Sequence, residues 1–142
     1  MIKPPQMKLT TKSKYGTRIL VELANQYKKG PMQVSVISRL QNIPVKYLEQ
    51  IIRPLKKAHF VSSVRGAKGG HMLAKNPEKI TLGMVIRLFE PQTDLVECVS
   101  CPEKCLVSDN CKMRIAWQEA TEVLFEKLDS IRIADLINKQ TD

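Results

Sequence analysis

The sequence predicts a mainly α-helical fold that contains one small β-hairpin. Three observations support this fold class. Apolar residues recur at helical spacing in three segments before residue 58, a β-branched segment and a glycine-rich loop follow, and a long amphipathic helix lies near the end. The chain has 142 residues, the size of one domain. No apolar run approaches the roughly 18 residues of a membrane span, so a membrane protein is not expected.

The first two helices and the turn after them are predicted from spacing and from breaking residues. Residues 11–27 place apolar side chains on one helical face, and Gly30-Pro31 ends that helix. Ser35 is expected to cap a second, short helix that ends at Leu40. In that helix Val36, Ile37 and Leu40 are expected to face inward. Residues 41–44 are predicted to form a tight turn.

A third helix is predicted from Val45, with Pro44 at or just before its first turn. Pro54 lies within it, and we expect a bend there because the helical pattern continues to Ala58. Two short helices separated by a turn of about four residues match the helix-turn-helix motif of DNA-binding proteins.

A β-hairpin is predicted directly after the third helix. Residues 60–64 and 71–74 are its strands, and residues 65–70 form a basic loop rich in glycine. A hairpin in this position is a wing, so the full prediction is a winged helix-turn-helix. Arg65 and Lys68 at the tip are placed to enter a minor groove or to hold phosphates. The alternatives are a merely structural hairpin and, less favoured, a nucleotide-binding loop, since the phosphate-loop motif is absent.

The second half is predicted to serve functions other than DNA binding, such as sensing or dimerisation. Thr81 can cap a helix that closes before Pro91, and a long helix is expected over residues 112–128, followed by a short element over 130–138. The wide apolar stripe of the long helix favours a homodimer seam over intramolecular packing alone. The domain boundaries expected are therefore a DNA-binding domain at 1–90, a cysteine-rich sensor loop at 91–111, and a dimerisation helix with a tail at 112–142.

The charge is strongly asymmetric and indicates an acidic partner. The formal net charge is +9, yet residues 1–75 hold 15 basic and 2 acidic side chains, and the remainder is mildly acidic. Few carboxylates are available to neutralise the first half internally. Double-stranded DNA is the partner expected, with an anionic membrane surface or a solvated face as the other readings of such asymmetry.

The third helix carries a polar face that suits a major groove. Four of its side chains recur at the spacing of one helical face: Lys46, Glu49, Gln50 and Arg53. Gln can pair with adenine, Glu can accept from cytosine, and Lys can pair with guanine or phosphate. On residue type alone, base reading and simple solvation explain Glu49 equally well. Tyr47 lies beside this face, where an aromatic residue is more often core than contact.

All four cysteines lie within 14 residues of the acidic half: Cys98, Cys101, Cys105 and Cys111. The first residues contain no apolar signal core, so we expect a cytoplasmic protein, where structural disulfides are rare. A tight cysteine cluster then indicates metal binding or redox chemistry. Spacing alone does not separate a structural zinc site from an iron–sulfur cluster, and metal-free thiols that respond to oxidants are a third possibility.

An enzyme is the least favoured class. His59 and His71 are the two histidines, and neither lies beside a cysteine or serine motif that suggests a catalytic pair. The carboxylates of the cysteine loop form no recognisable hydrolytic arrangement. A winged-helix module that binds a partner enzyme instead of DNA is the main alternative from another class.

Several segments resemble the Rrf family of bacterial winged-helix transcription regulators, which includes IscR, NsrR, RirA and CymR. The resemblance covers Met7 to about Asn138. It is carried by the N-terminal segment 7–16, the Tyr-Leu-Glu-Gln-Ile-Ile of residues 47–52, the wing at 62–71, the cysteines before a Trp-bearing helix, and the Ile-Ala-Asp-Leu of residues 133–136. It implies a dimeric DNA-binding regulator that often senses through an iron–sulfur cluster of the [2Fe–2S] or [4Fe–4S] type.

The resemblance also implies roles for individual residues. Glu49 and Gln50 would read bases, and Arg65 would enter the minor groove, with Lys46 less secure. Lys14 and Arg18 are candidate phosphate contacts on charge. His71 replaces the usual wing tyrosine, and we expect a local packing change.

The three family cysteines correspond to Cys98, Cys105 and Cys111. The position of the histidine ligand in one branch of the family holds Arg114, and the position of an acidic ligand in another holds Lys14, so neither supplies the fourth ligand. Cys101 is the first candidate for it, or a replacement for Cys98. Asp109 or a bound small molecule is the other possibility.

Overall fold

The computed structural model describes residues 9–90 and 112–137, and within them it has the predicted architecture of helices with one antiparallel hairpin. The cysteine segment 91–111 and both termini lie outside the described residues. The elements are α1 (Thr11–Asn25), α2 (Val34–Gln41), α3 (Val45–Lys57), β1 (Val61–Val64), β2 (Gly70–Leu73), a 3₁₀ helix (Pro77–Lys79), α4 (Leu82–Phe89), α5 (Lys112–Asp129) and α6 (Ile133–Ile137).

One hydrophobic core joins the first and last described elements. Burial of apolar side chains from α1, α3, α4 and α6 against one another supplies the main driving force for folding. Ile133 of α6 is completely buried in this core, so the C-terminal helix belongs to the same packed body as α1 and α3. The fully buried large side chains include Ile19, Leu20, Leu23, Ile37, Ile43, Leu48, Ile51, Leu55, Ile80 and Val85.

The prediction for the start of α2 was wrong. The backbone N–H groups of Val36 and Ile37 both donate to the carbonyl of Gln33, so the helix begins at Val34 and Ser35 lies inside it. The expectation that Leu40 faces inward was also wrong, because 54% of that side chain is exposed. A helix of eight residues presents a narrow face to the core, and Ile37 alone in α2 is fully buried.

Other boundaries moved by one to three residues. Helix α1 ends at Asn25 because the N–H groups of Gln26 and Tyr27 bond three residues back, which tightens the chain out of the α-helix. Helix α3 continues through Pro54 to Lys57, as expected. The strands pair Val61 with Leu73 and Val64 with Gly70.

Helix α5 is tied to the domain near its C-terminal end. The Arg87 guanidinium of α4 donates to both oxygens of Asp129, at 2.7 and 2.9 Å, and lies over the ring of Phe125 at 4.5 Å. Thr121 and Phe125 are the buried residues of α5. Elsewhere around α5 large apolar side chains are exposed, namely Met113, Ile115, Trp117, Val123 and Leu124. No helix in the described residues combines the length and apolar character needed to cross a bilayer.

Candidate nucleic-acid interface

The turn between α2 and α3 is held firmly against α1. Asn42 adopts the left-handed conformation that ends α2, and the Ser38 hydroxyl donates to the carbonyl of the buried Ile43 at 2.5 Å. Arg18 of α1 donates to the side-chain oxygen of Gln41 at 2.7 Å and to its carbonyl at 2.6 Å. The bond from Arg18 satisfies the Gln41 carbonyl, which the end of α2 would leave unpaired, and together the bonds fix the turn that orients α3.

Helix α3 separates an apolar inner face from a polar outer face. Leu48, Ile51, Ile52 and Leu55 are buried in the core. The four residues predicted to face a major groove are all exposed, and they lie on the opposite side: Lys46, Glu49, Gln50 and Arg53. Helical periodicity therefore leaves this polar face free to meet a partner.

Tyr47 of α3 is half-buried, and its ring packs edge-on against Tyr15 of α1. The ring centroids are 5.8 Å apart, and the planes make an angle of 78°. Arg18 lies over the Tyr15 ring at 5.1 Å. Tyr47 thus takes part in the packing of α1 on α3, at the edge of the polar face.

The wing is attached to the connection between α1 and α2. Met32 and His71 exchange two backbone hydrogen bonds of 2.8 Å, an isolated antiparallel bridge that ties the hairpin to this connection. A side chain at Gly70 would collide with the Met32 carbonyl, so glycine is required for this close approach. The Gln33 amide also donates to the carbonyl of Ala67 in the wing loop at 3.2 Å. The exposed tip residues Arg65 and Lys68 are therefore carried by an anchored hairpin.

A groove of about 390 Å³ separates α3 from the wing. Its lining includes two predicted DNA-binding residues, Glu49 and Arg53. It also includes Lys56 and Lys57, which were not predicted from the sequence. Lys56 and Lys57 follow Arg53 at i+3 and i+4 and so share its face, a spacing that would have identified them. The complete lining is Glu49, Ile52, Arg53, Lys56, Lys57 and His71.

His71 is the wing residue that faces this groove. Its Nδ1 atom lies 3.2 Å from the Ser63 hydroxyl on the neighbouring strand. Partial burial and the charge of Lys56 lower the pKa of His71, while Glu49 opposes them. The imidazole is thereby biased toward its neutral form in the free protein.

The remaining predicted contacts are placed differently. Lys14 is exposed on α1. Arg18 is also exposed, but its guanidinium is engaged by Gln41, a role that charge alone did not indicate. The predicted metal ligands Cys98, Cys101, Cys105 and Cys111 lie outside the described residues, and within the described ranges no three His, Cys, Asp or Glu side chains group as metal ligands.

Comparison with known proteins agrees with this arrangement. Residues 9–139 match the profile of the Rrf2 family, described as iron-dependent transcriptional regulators. Protein rrf2 of Nitratidesulfovibrio vulgaris is 40% identical over 131 residues, covering 92% of this chain and 87% of that protein. The regulator IscR of Pectobacterium atrosepticum is 33% identical over 134 residues, covering 94% and 81%.

A solved structure gives the same fold. CymR, the global cysteine regulator of Bacillus subtilis, is similar with a TM-score of 0.81 and 35% identity, covering 96% of this chain and all of that one. Two of these relatives, IscR and CymR, are named as transcriptional regulators, and none of the three is named as an enzyme. The winged-helix fold, the family profile and these relatives together establish that the chain belongs to the Rrf2 family of DNA-binding transcriptional regulators.

Proposed function

We propose that the protein is a homodimeric, sequence-specific regulator that places α3 in the major groove and the wing tip in the adjacent minor groove. The observation that carries this proposal is the groove shared by α3 and the wing. Because both elements line it, the exposed polar face of α3 and the anchored hairpin form one continuous surface. A recognition helix and a wing arranged in this way can straddle one strand of a duplex.

Each part of this surface has its own task. Glu49 and Gln50 would read base edges, and Arg65 would enter the minor groove. Lys46, Arg53 and Lys68 supply positive charge for phosphates, with Lys14 on the outer side of α1. Arg18 would contact a phosphate while it stays bonded to Gln41. Tyr47 would contact the DNA from the edge of the polar face of α3.

The second copy of the chain would dock on α5. Five large apolar side chains on this helix are exposed, among them Val123 at 65% and Met113 at 62%. A monomer rarely leaves such a patch in water. Pairing of α5 with its copy would set two recognition helices roughly 34 Å apart or a multiple of that, the spacing of half-sites on one face of DNA.

The cysteine segment would hold an iron–sulfur cluster through Cys98, Cys105 and Cys111, with Cys101 as the fourth candidate. Thiolates are soft, anionic donors, and four within 14 residues fit such a cluster. When bound, a [2Fe–2S] or [4Fe–4S] cluster supplies a centre that is sensitive to oxidants and to iron supply. The iron-dependent description of the family supports this choice. Zinc, or thiols without metal, would be the alternative use of the same residues.

A change in this segment would reach the DNA-binding face through Glu90. Glu90 is the last residue before the segment, and its carboxylate binds the start of α1. Helix α1 in turn holds the turn before α3 through Arg18. We accordingly assign residues 1–90 to DNA binding, 91–111 to sensing and 112–142 to dimerisation, in a regulator that acts on the chromosome in the cytoplasm.

DNA binding is tested with a duplex selected from a random pool by the wild-type protein. Fluorescence anisotropy should show affinity that falls steeply with salt, because each neutralised phosphate releases counterions. Arg65→Ala should weaken binding by about tenfold, the scale of one good groove contact, while Glu78→Ala, at an exposed position of the 3₁₀ helix, should not. Flat binding between low and physiological salt would contradict the mechanism. Failure to bind any duplex would favour a protein-interaction module.

The cysteine assignment is tested by anaerobic purification with iron, acid-labile sulfide and zinc analysis. Matched iron and sulfide with a visible absorption spectrum is the expected result, and substitution of each cysteine by alanine would then identify the ligands. Stoichiometric zinc without iron would make the segment structural. If the protein contains no metal and also fails to take up a cluster on reconstitution, the cysteines would act as a thiol sensor without metal.

A further inference from the structure

His71, in β2 of the wing, is held in place by hydrogen bonds and faces the groove beside α3. Both of its backbone hydrogen-bonding groups are used by Met32, and its ring is held through Nδ1 by Ser63 on the paired strand. A hydroxyl can donate to Nδ1 of a neutral imidazole and accept from Nδ1–H of a charged one. The Ser63 contact therefore suits both protonation states, and Nε2 is the ring atom that remains for a ligand in the groove.

The groove around His71 is cationic, apart from one carboxylate. Helix α3 contributes Arg53, Lys56 and Lys57 as positive groups and Glu49 as the negative one. Strand β1 contributes the neutral Ser63, and the connection before α2 contributes the backbone of Met32. Three cations and an imidazole around one opening fit a compact anion better than any other class of ligand.

We propose that the groove between α3 and the wing binds one backbone phosphate of the DNA, and that His71 takes up a proton from solvent when the phosphate enters. This inference rests on the proposed function, in which α3 and the wing enter neighbouring grooves. A duplex strand must then pass between the two elements, where this groove lies. A phosphate in the groove is the anion that the charges of α3 and the wing favour.

Proton uptake follows from the balance of charges. In the free protein, partial burial and Lys56 hold down the pKa of His71, against the opposing effect of Glu49. A phosphate in contact with the ring adds a negative charge and raises the pKa of the imidazole in the complex. By linkage, the association constant rises as the pH falls through the pKa in the complex, and the gain is complete below the pKa of the free protein.

The test is the affinity of the full-length protein for the selected duplex, measured by anisotropy under anaerobic conditions at fixed ionic strength. For the wild type we expect affinity to increase about threefold to tenfold per subunit between about pH 8 and pH 6, since one unit of pKa difference corresponds to tenfold. His71→Gln keeps a neutral donor in the groove but cannot take up a proton in this range, so it should abolish this dependence. His71→Tyr, which installs the usual wing residue of the family, is a second variant without titration in this range. His59→Gln, at an exposed position two residues after the end of α3, is the matched control and should keep the dependence.

A salt titration at the lower pH gives a readout that a purely structural role would not alter. Because the neutral amide of Gln cannot neutralise the phosphate charge, the slope of log affinity against log salt should fall by about one per subunit in His71→Gln. Wild-type affinity independent of pH, or an unchanged dependence in both His71 variants, would overturn the inference and leave DNA binding by α3 and the wing intact. No binding to any duplex would overturn both.

Discussion

The carboxylate of Glu90 accepts a 2.6 Å hydrogen bond from the hydroxyl of Ser13, a side chain that is 1% exposed near the start of α1. The same oxygen accepts from the Thr10 N–H at 2.7 Å and from its hydroxyl at 2.9 Å. A negative charge at a helix N-terminus is favoured by the helix dipole and satisfies unpaired donors. Glu90 therefore joins the end of α4, where the cysteine segment begins, to the helix that positions the recognition turn.

Glu90→Gln should lower the free energy of unfolding by about 1 kcal/mol at neutral pH, the usual worth of a charged group at a helix start. Partial burial raises the pKa of Glu90, but the hydrogen bonds from Ser13 and Thr10 outweigh it and lower the pKa below its ordinary value. The stabilisation is therefore present above the unfolded-state pKa and is lost as the pH falls through the lower folded-state pKa.

Urea unfolding of both proteins across the acid range measures this difference. The gap between wild type and Glu90→Gln should close in acid, while Glu78→Gln, at an exposed position of the 3₁₀ helix, should match the wild type throughout. A gap that persists at the lowest pH would show that the carboxylate charge is not what holds α1.

Gly16→Ala should destabilise the protein by about 1 to 2 kcal/mol, although alanine is the better helix former. A methyl group at Gly16 in α1 would lie 2.5 Å from Cε2 of the Phe89 ring on α4. Phe89→Leu removes that ring edge and serves as the second arm of a double-mutant cycle. Thermal unfolding should show that Gly16→Ala costs less in the Phe89→Leu background, and equal costs in both backgrounds would contradict the contact.

Gly70→Ala should detach the wing from the α1–α2 connection. The backbone at Gly70 has φ +150°, and a methyl group there would collide with the Met32 carbonyl. We expect affinity for the selected duplex to fall by about tenfold or more, because Arg65 and Lys68 lose their fixed position. Ala67→Gly at the exposed wing tip is the control. Unchanged affinity in Gly70→Ala would show that the anchored wing does not contribute to binding.

Val123→Glu should weaken self-association without unfolding the domain. Val123 is 65% exposed on α5, so a charge there should cost the isolated subunit little folding free energy. In the proposed dimer interface the same charge would be buried, which should destabilise the dimer. Sedimentation equilibrium should show a shift from dimer toward monomer of about tenfold or more in the dissociation constant. Gln118→Glu, which adds the same charge at an exposed position about 140° around α5 from Val123, is the control. A dimer of unchanged stability would place the seam elsewhere.

Most elements of the fold could be predicted from the sequence because their signals are local. The spacing of apolar residues identified α1 and α3, and the Gln-Asn-Ile-Pro of residues 41–44 identified the turn. The start of α2 could not be predicted, since it depends on Gln33, whose neighbour Met32 is paired with a strand about forty residues away.

In the candidate site, too, only the features that follow from local sequence patterns could be predicted. Residues on the outer face of α3 follow from helical period, and the exposed Arg65 and Lys68 follow from the glycine-rich turn. The contacts that these side chains make with other elements could not be predicted from local sequence patterns. Arg18 binds Gln41 and His71 faces the groove only because separate elements pack together. A phosphate contact was predicted for Arg18 only from its charge. For His71 a local packing change was predicted only from the replacement of the usual wing tyrosine.

Selection of duplexes from a random pool by the wild type and by Glu49→Ala tests the central claim most directly. The account predicts that the wild type enriches one motif with two half-sites, about one helical turn or a multiple apart, and that Glu49→Ala loses preference at one position of each half-site while its salt dependence stays the same. Glu78→Ala should enrich the wild-type motif. A wild type that enriches no motif, or a Glu49→Ala protein that enriches the identical one, would contradict reading by the outer face of α3.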